Sequence, residues 1–126
     1  MKKILIYVIV GTLVTCGLNA CYYDQVATIV GVPTNVSLKN DVQPIFDRDC
    51  NSSGCHDSKP SHAPSLTAEN AYKAITTGGY VNVTVPESSV LYARVEDNSM
   101  PSGKPPLSEN EKKLILGWIT DGAKNN

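Results

Sequence analysis

Two cysteines and a histidine in Cys50-Asn51-Ser52-Ser53-Gly54-Cys55-His56 constrain this chain more than any other feature. Thiols this close either pair with each other or are committed, with the adjoining imidazole, to a metal or cofactor. At ~100° per residue, cysteines five apart point to different sides of a helix. Cys50 and Cys55 therefore cannot both face one partner from a regular helix. Ser52, Ser53 and Gly54 are poor helix formers and suit a chain that loops out between the two thiols. A thioether sulfur follows later, at Met100-Pro101.

The N-terminal residues read as targeting sequence. Lys2 and Lys3 form a basic start, residues 4–14 are an almost unbroken apolar run, and Leu18-Asn19-Ala20-Cys21 sets a small residue before a cysteine. This pattern predicts an exported precursor with a signal peptide over residues 1–20. The apolar run is too short for the ~20 residues of a spanning helix. Cys21 after the cleavage point resembles the bacterial lipobox, which implies a lipidated N-terminus, a bilayer as partner, and a place on the periplasmic side or at the cell surface. With Cys16 in the leader and Cys21 carrying the lipid, only Cys50 and Cys55 remain.

Residues 21–126 suffice for one domain, and a core of that size is marginal unless something else is buried in it. One Phe and one Trp leave little aromatic bulk for the purpose. Eleven Lys and Arg against twelve Asp and Glu give a net charge of −1, and loss of Lys2 and Lys3 leaves nine against twelve, or −3. No basic stripe is present to neutralise phosphates, which argues against a nucleic-acid partner.

Gly31, Val32 and Pro33 suggest an extended tether over residues 21–35, with the domain over residues 36–126. Asn40 or Asp41 can cap a first helix that tolerates Pro44 and buries Val42, Ile45 and Phe46 before reaching Cys50. Pro60 and Pro64 mark a loop. A short helix is expected over residues 68–76, capped by Thr67 and stopped by Gly78-Gly79. Pro86 can open another helical turn, with Val90, Leu91 and Val95 at helical spacing. The Pro- and Gly-rich stretch 97–106 forbids regular structure and holds Met100 at its entry. Ser108 and Glu111 match a capping box for a last helix with an apolar stripe of Leu114, Ile115, Trp118 and Ile119, ending at Gly122.

From about Val36 to Ala123 the sequence resembles the small monohaem c-type cytochromes, class I-like, with an expanded C-x4-C-H attachment motif in place of the ordinary two-residue spacing. The resemblance implies an all-α fold of three to four helices with long loops around one covalent haem c. It implies thioether bonds at Cys50 and Cys55, His56 as proximal iron ligand, and Met100 as the distal ligand that raises the potential. Pro64-Ser65-Leu66 fits the family's Pro-x-Leu step, in which the proline carbonyl takes the other imidazole proton and the leucine packs on the haem. Pro60 competes for the carbonyl role and His62 for the distal position. In the family the first and last helices cross through an aromatic pair, here Phe46 and Trp118. Val42 replaces the usual glycine at the crossing, and Gly117 offers a small residue on the opposite helix.

The function so implied is single-electron transfer between other redox proteins outside the cytoplasm, with no open iron position for a substrate and hence no enzyme. Other readings of the same residues are a haem protein with an open distal site for a small ligand, a haem-free lipoprotein with a Cys50–Cys55 disulfide, and a zinc site of Cys50, Cys55, His56 and His62.

Overall fold

The computed structural model describes residues 31–126. The expected signal peptide, Cys16 and Cys21 lie outside them. The described residues are helical, with four helices and no strand. None of these helices is long and apolar enough to cross a membrane.

Helix α1 runs over residues 38–50 in three joined pieces: wide π turns at Leu38–Val42 and Phe46–Cys50 flank a short α turn at Gln43–Ile45. Pro44 accounts for the first irregularity, because it has no N–H for the carbonyl four residues back and its ring crowds that carbonyl. Just before it, Gln43 N–H bonds to Leu38 O, five residues back, which is the wide spacing of a π turn. The cap is Ser37 rather than Asn40 or Asp41. Its Oγ accepts from Asn40 N–H at 3.1 Å, while the Asp41 carboxylate accepts from Ser37 N–H at 2.7 Å. Asp41 thus serves the cap from inside the helix.

Helix α2, Ala71–Thr77, begins later than the sequence suggests, because Thr67 first closes a turn with Asn70 N–H and Ala71 N–H on its carbonyl. Gly78-Gly79 ends it as expected: Gly79 takes φ +74°, and Tyr80 N–H returns to Ile75 O. Pro86–Ser88 form a separate 3-10 turn, and extended backbone at Ser89 divides it from helix α3, Val90–Glu96. Helix α4, Glu109–Thr120, carries both halves of the Ser108/Glu111 capping box. It buries Ile115, Leu116, Gly117, Trp118 and Ile119, while Leu114 is only half-buried.

The core lies between α1 and α4, where Val42, Phe46, Ile115, Trp118 and Ile119 are essentially fully buried together with Ile75 from α2. The Trp118 indole N–H donates to Lys124 O at 2.8 Å, so its burial leaves no polar atom unpaired. Gly117 has a different neighbour from the one expected. A Cβ there would lie 2.5 Å from the Pro33 carbonyl and 2.9 Å from Val36 Cγ2. The close approach it permits is with the segment before α1, and packing on α4 therefore reaches back to Pro33. Val36 N–H to the Asp121 carboxylate and Leu38 N–H to the Asn126 side chain, both 2.9 Å, fasten the same segment.

Candidate functional site

One cavity of about 640 Å³ opens between the end of α1, the loop after it, α3 and the Met100 loop. That volume is in the range of small-molecule and cofactor sites. Its walls are mostly apolar, with Phe46, Leu66, Leu91, Val95 and Ile115 among them. Cys50, Cys55, His56, His62, Pro64, Leu66 and Met100 all line it, although they are spread over fifty residues of sequence.

The two thiols reach one cavity because the helix stops. Asn51 N–H closes the last π turn on Phe46 O, and the chain then turns out over residues 51–55. Gly54 takes φ +80°, a conformation that costs glycine little, and its N–H bonds the Asp57 carboxylate at 3.0 Å. His56 N–H returns to Cys50 O at 3.2 Å and shuts the loop. The four intervening residues are taken up in this turn, and the helix-wheel objection to the spacing does not apply to it. Both thiols are free. Cys55 is exposed, while burial and then the nearby Asp49 charge push the Cys50 thiol up to about 11.

His56 is held from two sides by one short stretch of loop. Its ring Nδ1 lies 2.8 Å from Pro64 O, and its backbone carbonyl accepts Leu66 N–H at 2.8 Å. Of the two prolines weighed, Pro64 is the one whose carbonyl the ring meets. A carbonyl can only accept, so Nδ1 carries the proton and Nε2 is left with its lone pair available. Leu66 is buried and contributes to the cavity wall.

Met100 is held by its backbone N–H, which donates to Arg94 O at the end of α3 at 2.9 Å. Further along the same loop, the Lys104 ammonium donates to Arg48 O at 3.0 Å and ties the loop to α1. Arg48 in turn pairs with Asp49 and with Glu111 of α4. These carboxylates hold its guanidinium well above its ordinary pKa. His62 is an exposed residue on the rim of the cavity.

This donor set fits a flat, largely apolar iron macrocycle: two thiols for attachment, an imidazole with its tautomer fixed, a thioether, and apolar walls. Among the described residues, no three His, Cys, Asp or Glu side chains are grouped closely enough to hold a metal ion. Sequence reasoning missed Gln43, the buried polar residue of α1, whose side chain is bonded to the Leu66 carbonyl. Its partner lies 23 residues away, and no spacing rule points to it. Compared with known protein families, with curated proteins and with solved structures, the chain matches none of them.

Proposed function

We propose that this chain is a lipid-anchored, class I-like monohaem cytochrome c that carries single electrons between redox proteins outside the cytoplasm. The observation that supports this best is the meeting of Cys50, Cys55, His56 and Met100 on one apolar cavity, with the His56 ring already fixed by Pro64 O. The packing of the last helix on the start of the first, with Phe46 and Trp118 both buried in the same core, agrees with a cytochrome c-like fold. Bound in the cavity, the haem would supply a one-electron Fe(III)/Fe(II) couple.

The remaining work belongs to the chain. Cys50 and Cys55 would retain the group covalently. Pro64 O, by holding the Nδ1 proton, keeps Nε2 of His56 available and makes the ring a stronger donor. Met100 offers a neutral, soft sulfur. Leu66, Val95 and Ile115 exclude water from the site, and Cys55 on the exposed side leaves one edge near solvent. His56 and Met100 would both hold the iron, which would leave electron transfer, rather than chemistry on a substrate, as the activity of the protein.

The decisive experiment is a visible spectrum of the protein expressed with a haem-attachment system, followed by denaturation. Covalent attachment requires the colour to stay with the unfolded chain and to weaken or vanish in Cys50→Ala and Cys55→Ala. A colourless wild-type protein refutes the reading. The anchor is tested separately: Cys21→Ser is expected to leave the membrane fraction, and retention of a processed Cys21→Ser protein overturns lipidation at that residue.

A further inference from the structure

Gln43 is 6% exposed, and its Nε2 makes two bonds that lead toward the site. One goes to Leu66 O at 2.9 Å and the other to the Asp47 carboxylate at 2.7 Å. The same Asp47 oxygen accepts Asn51 Nδ2 at 2.7 Å. Leu66 is therefore held at both ends of its peptide, by Gln43 at its carbonyl and by His56 O at its N–H. Two residues earlier the same strip of chain presents Pro64 O to the His56 ring. Residues 57–66 contain no helix or strand of their own. The His56 N–H bond to Cys50 O ties the loop to α1 at one end, and the buried Gln43 amide ties it at the other.

We propose that Gln43 is a positioning residue for His56: by fixing Leu66 to α1, it sets how firmly Pro64 O holds the Nδ1 proton. Asp47 is its partner in this role, because it orients the Gln43 amide and also fastens Asn51, the first residue after Cys50. The device thus clamps both ends of the loop that carries His56. The assignment rests on the haem reading only for its effect on potential. The clamp itself is a property of the chain.

The test uses the full-length protein as purified with Gln43→Met, which keeps the side-chain length and removes the amide. Asp47→Ala, at an exposed position, is a second variant that spares the core should the first fail to fold. Hydrogen exchange is read at the Leu66 amide, with the Trp118 amide as reference, and the reduction potential is read alongside. Loss of one hydrogen bond is worth about 1 kcal/mol, so exchange at Leu66 should quicken about five- to tenfold while Trp118 is unchanged. The potential should rise, because a loosened Nδ1 proton makes the imidazole a weaker donor to Fe(III). Asp47→Ala should move both readings in the same direction and less far. Unchanged Leu66 exchange in both variants, or an equal loss of protection at Leu66 and Trp118, overturns the proposal. Faster Leu66 exchange with an unmoved potential also overturns it. If the wild type carries no haem, the functional reading fails by itself, and the selective change at Leu66 still decides whether Gln43 holds the His56 loop.

Discussion

Helix α4 shapes itself with bonds that reach three or four residues, from the Ser108 cap to the turn at Gly122. The segment from Cys50 to Leu66 has few such bonds. It is held by the Asp57 carboxylate, by returns of its own backbone onto Cys50 and His56, and by Gln43 from the helix before it. The first region is rigid by propensity and burial, and the second by particular polar contacts. The fold's stability should therefore reside mainly in α4 and its contacts, and the chemistry of the site in the loops. Each can be disturbed with limited effect on the other.

The largest effect is expected from Trp118→Ala. Removing a fully buried indole should cost about 3–5 kcal/mol, read as a lower urea midpoint. If stability resides in α4 as argued, the molecules that remain folded should keep the wild-type potential. Met100→Ala sharpens the comparison from the other side. On the proposed haem reading, it should abolish the weak near-infrared sulfur-to-iron band, open the iron to carbon monoxide, and lower the potential within the ~0.8 V that axial ligands command. His62→Ala should do none of these. A wild-type protein that binds carbon monoxide freely, with a potential indifferent to Met100→Ala, would leave Met100 as packing only.

Ser108→Ala removes the cap of α4 and should cost about 1 kcal/mol in urea unfolding, with the spectrum untouched. A change in the haem spectrum would show that the two regions are coupled. The smallest effect is a pH dependence at the Arg48–Glu111 pair, which ties α4 to the end of α1. Burial alone would raise the Glu111 carboxyl, but bonds from Ser108 and Arg48 outweigh it and hold the carboxyl below its ordinary value. A carboxyl lowered by folding contributes stability above its unfolded pKa and loses it as pH falls through the folded one. Wild type should thus lose slightly more stability than Glu111→Gln as pH is lowered below about 4.5, the unfolded carboxyl value. Parallel acid curves for the two proteins would discount the clasp.

The same contrast explains what the sequence made legible. The Ser108/Glu111 box could be read because its partners lie three residues apart, and the stripe from Ile115 to Ile119 because burial repeats at helical spacing. The start of α1 was misplaced because Asp41 reaches backward to Ser37, a pairing that resembles a cap at Asp41 itself. Its π turns were hidden because Pro44 can equally open a helix or distort one. Among the site residues, the cysteines and histidine stand out by adjacency, and Pro64 was reached only through a resemblance. Gln43 had no local signature at all. Contacts between residues distant in sequence are specified by the completed fold, and that is where single-sequence reasoning stops.

The seat that Gly117 provides for Pro33 also bears on distance. Pro33 is packed on α4, and only twelve positions lead back from that residue to Cys21. A chain of that length, fully extended, spans at most about 40 Å. An anchor at Cys21 would then act as a short leash, keeping Pro33 within about 40 Å of the lipid surface. On the proposed electron-carrier reading, exchange would be confined to partners that come near that surface or are embedded in it, and lengthening residues 22–32 with a Gly-Ser spacer would widen the range of partners within reach.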